Sequence, residues 1–187
     1  CMHCRNCEKQ GAGKIVYQDR PVFIEDDLDE VFKYCPTDAI QYDSSYYSLE
    51  ELVDKVMEDE VFFKYGGGVT VSGGEPFMQQ KKLIQLLEEL HTKVHTAIET
   101  SLYTSLDLVK QAAPYLDQIY CDLKIEDDKA HLEATGVSNT IIKENLSYLL
   151  TSEHKDKVIV RTPLIPGYTG DDDNIKITTK KDYENAI

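Results

Sequence analysis

Two patterns of apolar and polar residues alternate along the chain from residue 48 onward. Short runs rich in β-branched residues predict strands at 69–72, 94–100, 118–125 and 157–162. Apolar residues at helical spacing predict helices at 48–64, 76–93, 105–115, 128–134 and 141–152. Because strands and helices follow one another strictly, the chain is expected to form an α/β fold with a parallel sheet and right-handed crossovers.

The predicted strand at 118–125 is polar on one face. Its even-numbered residues form the polar set, which is Gln118, Tyr120, Asp122 and Lys124. Parallel strands are normally apolar on both faces because helices cover them, so a regular polar face requires an explanation. The same alternation places Thr70, Ser72, Gly74, Glu99, Ser101 and Arg161 on the polar face of the other strands. We expect these groups to meet at the carboxyl ends of the strands, where barrels of parallel strands form active sites.

Two interpretations of the charged residues on this face stay open. Asp122 and Lys124 lie two residues apart and suit a ligand that carries both an ammonium and a carboxylate group. Alternatively, they pair with Glu99 and Arg161 in a structural ion-pair network. Both interpretations meet the requirement that a buried charge be paired or bound to a ligand.

A glycine-rich stretch at 66–76 includes the predicted strand at 69–72. Gly73 and Gly74 permit backbone conformations that are closed to other residues, and they let a ligand approach the main chain. Glu75 is the first side chain beyond the turn, and Pro76 keeps it out of a regular helical conformation. The stretch predicts a ligand-binding loop, with a tight strand-to-helix turn as the alternative.

The first 47 residues carry four of the five cysteines. They are spaced Cys1-x-x-Cys4-x-x-Cys7, with a distant Cys35-Pro36. A triple cysteine run with a distant Cys-Pro is typical of the four ligands of an iron–sulfur cluster, here one [4Fe-4S] cluster. Zinc, which also accepts four thiolates, is the alternative. Two β-like runs at 14–17 and 21–24 and a helix at 28–34 complete this predicted module, whereas Cys121 is expected to be a buried thiol.

Charge and hydropathy exclude some classes of partner. Of the 187 residues, 20 are Lys or Arg and 34 are Asp or Glu, which gives a formal net charge of −14. The electrostatic field of this net negative charge repels phosphate backbones and anionic lipid surfaces. Neither nucleic acid nor a membrane is therefore an expected partner. No apolar run approaches the length of about 20 residues that spans a bilayer, and no signal peptide opens the chain, so a cytoplasmic location is expected.

Five segments together resemble one protein family. They are Gly-Gly-Gly-Val-Thr-Val-Ser-Gly-Gly-Glu-Pro at 66–76, Glu-Thr-Ser at 99–101, Asp-Leu-Lys at 122–124, Gly-Val-Ser-Asn at 136–139 and Arg-Thr-Pro-Leu-Ile-Pro-Gly-Tyr-Thr at 161–169. In this order and spacing, the chain is similar to the activating enzymes of glycyl radical enzymes. These form the pyruvate formate-lyase activating enzyme family within the radical S-adenosylmethionine superfamily.

The resemblance implies a fold and a set of site residues. The fold is a partial (β/α) barrel of the radical S-adenosylmethionine type with an N-terminal ferredoxin-like module that carries an auxiliary cluster. The residues implied to bind the amino group of S-adenosylmethionine are Ser72, Gly73, Gly74 and Glu75. Lys124 would bind the carboxylate end of the same molecule, and Asp122 with Glu99 would lie near a monovalent cation. Arg161 would face the cofactor or the substrate peptide.

The resemblance also implies an activity. In this family a reduced [4Fe-4S] cluster splits S-adenosylmethionine into methionine and a 5′-deoxyadenosyl radical. That radical removes a hydrogen from a backbone glycine of the partner, which is a glycyl radical enzyme. A flavodoxin or a ferredoxin would supply the electron.

Two features depart from the family pattern. The Cys-x-x-x-Cys-x-x-Cys motif of the catalytic cluster does not occur in these residues, because Cys1 and Cys4 are one residue too close. The sequence after residue 177 also fits the family poorly. We therefore interpret the chain as an insertion at 1–47 and a truncated barrel at 48–187, and we expect these residues alone to be inactive. A non-catalytic ferredoxin-like electron-transfer or scaffold protein and a zinc-stabilised binding module are the other hypotheses.

Overall fold

The chain forms two compact units, Cys1–Tyr46 and Tyr47–Ile187, in a computed structural model. The structure describes residues 1–24, 29–41, 45–170 and 174. Each unit has its own cluster of buried apolar side chains, so each is described by itself.

The described residues of the first unit form a small antiparallel sheet and two short helices. The sheet pairs β1 (Ile15–Tyr17) with β2 (Pro21–Phe23), and the helices are α1 (Asn6–Gln10) and α2 (Asp29–Phe32). The buried apolar side chains among the described residues of this unit are Cys7, Ile15, Val31 and Ile40. The helix predicted at 28–34 is shorter than expected, and its first predicted residue lies outside the described residues.

The second unit is a four-stranded parallel sheet with helical connections. Its strands are β3 (Gly68–Val71), β4 (His95–Thr100), β5 (Gln118–Asp122) and β6 (Val158–Arg161), in the order β3-β4-β5-β6. Its helices are α3 (Leu49–Met57), α4 (Glu60–Phe63), α5 (Lys81–Leu90), α6 (Leu106–Ala112), α7 (Asp128–Thr135) and α8 (Thr140–Thr151). This succession confirms the α/β prediction and is the arrangement of a partial (β/α) barrel. In the described part of the chain, every helix is too short or too polar to cross a bilayer.

Helix α3 begins as the sequence predicts but ends early. The Ser48 Oγ accepts a hydrogen bond from the Glu51 N–H at 3.2 Å, and the Glu51 carboxylate accepts one from the Ser48 N–H at 2.7 Å. This reciprocal pair is a capping box. The single helix predicted at 48–64 is wrong, because the Asp59 N–H bonds to the Val56 carbonyl, three residues back, and the acidic run that follows Met57 is unfavourable at a helix carboxyl end.

The helix predicted at 76–93 is also interrupted. Residues Pro76–Gln79 form a 3-10 turn, and α5 begins only at Lys81. Gln80 between them has a φ of 47°, which no regular helix contains. The turn orients the chain as it leaves β3, and α5 then packs Leu83, Leu87 and Leu90 into the interior.

The core of the second unit lies between the apolar face of the sheet and the helices. In β5, Ile119 and Cys121 are buried, whereas Gln118, Tyr120 and Asp122 are half-buried, so the predicted alternation is confirmed. Burying a side chain the size of leucine contributes about 1.5–3 kcal/mol, and such residues fill this layer. The strand ends at Asp122 rather than at 125, because side chains and not a neighbouring strand bind the backbone from 124 to 126.

Candidate functional site

Polar side chains from four strands form one continuous network at the carboxyl edge of the parallel sheet. Ser72, directly after β3, donates its hydroxyl to the Glu99 Oε2 at 2.9 Å. Arg161 donates its Nη1–H to the Glu99 Oε1 at 2.7 Å and its Nε–H to the Asp122 Oδ1 at 3.0 Å. The convergence predicted for these residues is therefore present, and Asp122 pairs with Arg161 as the ion-pair interpretation anticipated.

The strand register explains this geometry. Asp122 lies opposite Arg161, and Tyr120 lies opposite Glu99. Tyr120 precedes Asp122 by two residues and shares its face, so the Arg161 guanidinium lies over the Tyr120 ring, 5.2 Å from the ring centroid. This stacking, which sequence analysis did not predict, supports the guanidinium between the two carboxylates.

Glu99 and Arg161 stabilise each other's charged forms, and the network has an excess of negative charge. The Arg161 guanidinium and the Ser72 hydroxyl lower the pKa of Glu99, and hydrogen bonding to Glu99 raises the pKa of Arg161. Two carboxylates and one guanidinium leave one negative charge at the edge of the sheet. The side chains of Glu99 and Arg161 are each 37% exposed, so a ligand is able to reach this charge.

Glu75 joins the loop after β3 to the loop after β4. Its Oε1 accepts from the Thr100 hydroxyl at 2.7 Å and from the Phe77 N–H at 3.3 Å. Its Oε2 accepts from the Ser101 hydroxyl at 2.6 Å and from the Ser101 N–H at 2.9 Å. Because a carboxylate offers about four acceptor positions, these donors fill its capacity. The loop backbone, rather than this side chain, is left to meet a ligand.

The loop backbone is open at the two glycines that the sequence singled out. Gly73 has a φ of 121°, a conformation that favours glycine, and a β-carbon added at Gly73 or Gly74 would have no atom within 4 Å. The space beside this backbone is therefore free.

Lys124 follows β5 at the same edge of the sheet. Its side chain is half-buried and makes no hydrogen bond or ion pair with the residues that the structure describes. Its carbonyl accepts from the Asn174 amide at 3.1 Å. The backbone at this position is fixed, while the ammonium is left for another partner.

Four thiols line a separate cavity of about 210 Å³ in the first unit. They are those of Cys1, Cys4, Cys7 and Cys35. In the described ranges, no group of three or more His, Cys, Asp or Glu is arranged to hold a metal ion. The sequence-predicted ligands thus surround a common space rather than a single point.

Local backbone groups favour the thiolate of Cys35. The Ala39 N–H donates to its sulfur at 3.2 Å. Hydrogen bonding from the Thr37 and Ala39 N–H groups lowers the pKa of this thiol. Cys121 differs, because it is 1% exposed and its burial raises its pKa, which confirms that it is a buried thiol.

Comparisons with known proteins agree with this arrangement. Residues 33–176 match the model of a family described as "Radical SAM superfamily". The indoleacetate decarboxylase activating enzyme of Tractidigestivibacter scatoligenes is 34% identical over 161 residues, which are 86% of this chain and 51% of the relative. The isethionate sulfite-lyase activating enzyme of Nitratidesulfovibrio vulgaris is 41% identical over 143 residues, which are 75% of this chain and 47% of the relative. The chain thus spans about half the length of these relatives.

A solved structure is also similar. It is a domain of pyruvate-formate lyase-activating enzyme from Bacteroides vulgatus ATCC 8482, with a TM-score of 0.53 and 32% sequence identity. The match covers 60% of this chain and 69% of that domain.

Proposed function

Because this chain belongs to the radical S-adenosylmethionine superfamily, we propose that the whole protein, rather than these residues alone, acts as an activating enzyme that generates a glycyl radical on a partner enzyme. The two curated relatives and the solved neighbour are all named as activating enzymes, which supports this choice within the superfamily. The proposed partner is a glycyl radical enzyme, and a flavodoxin or ferredoxin is the proposed electron donor.

The observation that carries the proposal is the convergence of Ser72, Glu99, Asp122 and Arg161 from four strands at one edge of the sheet. Active sites of parallel barrels lie at this edge because the loops meet there. A purely structural ion-pair network accounts for the pairing of these residues. It does not account for the open glycine backbone or for the Lys124 side chain, which follows β5 at the same edge and has no partner among the described residues.

The groups at this edge fit the amino-acid part of S-adenosylmethionine. Carbonyl groups of the 72–74 backbone would accept hydrogen bonds from its ammonium, because the Glu75 carboxylate is already occupied. Lys124 would pair with its carboxylate, as the family resemblance implies. The excess negative charge of Glu99 and Asp122 would attract a sulfonium or another cation. Arg161 would face the cofactor or the substrate peptide.

The cavity of the first unit fits an auxiliary [4Fe-4S] cluster. A cubane cluster takes one thiolate at each of four corners, so its ligands surround a volume. Cys1, Cys4, Cys7 and Cys35 line such a volume, and backbone donors favour the thiolate at Cys35. A reducing interior of the cell suits this chemistry, which supports a cytoplasmic location.

When bound, S-adenosylmethionine and a reduced [4Fe-4S] cluster would supply the radical chemistry that removes a hydrogen from the partner glycine, and the 72–75 loop and Lys124 would hold the amino-acid part of S-adenosylmethionine. The residues of this chain would bind and orient. The loop after β3 and Lys124 would fix the two ends of the amino-acid part, and the Arg161 network would set the charge around it. This positioning would hold the reacting carbon in one place relative to the partner glycine.

The test uses protein expressed from its full gene, purified without oxygen and reconstituted with iron and sulfide. After reduction with dithionite, we expect it to convert S-adenosylmethionine to methionine and 5′-deoxyadenosine in equal amounts. Adding an isethionate sulfite-lyase or an indoleacetate decarboxylase tests partner choice through the radical signal in electron paramagnetic resonance. Lys124→Ala should weaken S-adenosylmethionine binding, whereas Lys55→Ala, which alters an exposed ion pair on α3, should not. A reconstituted protein that holds its clusters but neither binds nor cleaves S-adenosylmethionine would refute the proposal.

A further inference from the structure

Two fully buried asparagines, one at the N-cap of helix α8 and one within the helix, make the same kind of contact with two different loops. The Asn139 amide donates to the carbonyls of Ile125 and Glu126 at 2.9 and 2.8 Å. The Asn145 amide donates to the carbonyls of Leu102 and Thr104 at 2.9 and 2.8 Å. The first pair of carbonyls lies in the loop after β5, and the second lies in the loop after β4.

These amides do not act as helix caps or as ordinary core residues. Asn139 is the N-cap residue of α8, but its side chain makes no capping hydrogen bond. The Oδ1 atoms of Asn139 and Asn145 are buried and have no hydrogen-bond partner among the described residues. An unsatisfied buried acceptor reduces stability, so packing alone does not explain either amide. What both amides accomplish is to fix two loops at the edge of the sheet that carries the proposed site.

Asn139 acts on the loop that carries Lys124. Asn174 holds the same loop from another side, because it donates to the Lys124 carbonyl and accepts from the Glu126 N–H at 2.9 Å. Asp128 then accepts from the Asn139 N–H at 2.8 Å. The backbone on the C-terminal side of Lys124 is therefore held at successive positions, which fixes the point from which the Lys124 side chain extends.

Asn145 acts on the loop that holds Glu75. Leu102 in this loop has a φ of 59°, a conformation that is uncommon for leucine and that requires support from its surroundings. Ser101 directly precedes it and donates two hydrogen bonds to Glu75. Fixing Leu102 therefore fixes Ser101, and Ser101 in turn fixes Glu75 and the glycine backbone beside it.

We propose that Asn139 and Asn145 are positioning residues for opposite ends of the amino-acid part of S-adenosylmethionine. Asn139 positions Lys124 for the carboxylate, and Asn145 positions the 72–75 loop for the ammonium. This inference rests on the proposed function. It adds that one helix sets the distance between the two binding groups.

The test measures dissociation constants by calorimetry for three ligands: S-adenosylmethionine, its decarboxylated form and its deaminated form. Asn139→Ala should weaken the binding of the two ligands that have a carboxylate by about tenfold and leave the affinity for the decarboxylated form unchanged. Asn145→Ala should weaken the binding of the two ligands that have an amino group by about tenfold and leave the affinity for the deaminated form unchanged. A purely structural role would weaken all three ligands alike.

Thr96→Val is the matched control. Thr96 is buried at the amino end of β4 and donates to the Tyr115 carbonyl at 2.6 Å, so its loss should lower stability without changing ligand preference. If an alanine variant does not fold, the corresponding serine variant, which keeps one donor, serves instead. Equal losses for all three ligands, or no losses, would overturn this inference alone. A wild-type protein that binds none of the three would overturn the proposed function and this inference with it.

Discussion

Arg161 on β6 reaches across β5 and donates its Nη1–H to Glu99 on β4 at 2.7 Å. The same guanidinium donates to Asp122 on β5 at 3.0 Å, so one side chain connects three neighbouring strands. A planar group with several donors is suited to this role, whereas an ammonium is a single point of charge. The arrangement of charge at this edge therefore depends on arginine specifically.

Replacing Arg161 by Lys should separate binding from stability. The charge remains, but the two hydrogen bonds to Glu99 and Asp122 are not both replaced. We expect affinity for S-adenosylmethionine to fall by about tenfold, as for the loss of one charge-assisted hydrogen bond. The thermal midpoint should change little, because half-exposed ion pairs contribute little to stability. Titration calorimetry and thermal unfolding measure the two effects, and an unchanged affinity would contradict the proposed site.

Replacing Gly74 by Ala should affect ligand affinity, whereas replacing Gly68 by Ala should affect stability. At Gly74 an added β-carbon has no neighbour within 4 Å, so stability should stay within about 0.5 kcal/mol. The new methyl would still enter the proposed ligand space and reduce affinity for S-adenosylmethionine by about tenfold.

Gly68→Ala is the comparison for Gly74→Ala. At Gly68 a β-carbon would lie 2.3 Å from the His95 carbonyl oxygen on the paired strand. We expect unfolding in urea to show a loss of about 1–3 kcal/mol. If Gly74→Ala proved the less stable variant, the space beside the loop would not be open as described.

Cys35 and Cys121 provide a test of the proposed cluster. Cys35→Ser should remove most of the iron and sulfide bound by the first unit, because Cys35 lines the four-thiol cavity. Cys121→Ala should leave the metal content unchanged and cost about 1 kcal/mol of stability, because Cys121 is buried on the apolar face of β5. Iron and sulfide analysis after anaerobic purification measures both variants. Zinc at one equivalent without sulfide would instead favour the zinc alternative.

Asp128 should make the stability of the second unit depend on pH. It accepts from the Ser138 hydroxyl at 2.6 Å and from the Asn139 N–H at 2.8 Å, and these bonds lower its pKa. A carboxyl whose pKa is lower when folded stabilises the protein above its ordinary value of about 3.9, and this contribution is lost as the pH falls through the folded value. Asp128→Asn should thus be the less stable protein at pH 7, and the difference should shrink below about pH 4.

Thermal unfolding across this pH range measures the effect. Asp107→Asn is the control, because Asp107 also lies in a first helical turn but its carboxylate accepts no hydrogen bond from the described residues. A difference between wild type and Asp128→Asn that stayed constant down to pH 3 would contradict the prediction.

Much of the site followed from periodicity. The alternation in 118–125 correctly predicted that Asp122 faces away from the apolar layer, and the same argument brought Glu99 and Arg161 to one edge. This succeeded because side-chain direction in a strand has a fixed period of two. The four cysteines that the spacing grouped together likewise line one cavity of the first unit.

Pairings that depend on register and on loop geometry were not predicted. The stacking of Arg161 on Tyr120 requires the exact alignment of β5 with β6, which periodicity leaves undetermined. The hydrogen bonds that Thr100 and Ser101 donate to the Glu75 carboxylate depend on how two loops meet. Asn139 stood within a segment that carried the family resemblance, but only the three-dimensional structure reveals which carbonyls it holds.

From β4 onward, each strand of the parallel sheet lies directly beside the strand that precedes it in the chain. During synthesis on the ribosome, each of these strands therefore emerges after the strand with which it pairs. Once paired, it provides the free edge with which the next strand pairs. Such stepwise growth needs only short-range loop closures, which favours rapid assembly. The groups that Arg161 gathers would accordingly come together only when β6 joins.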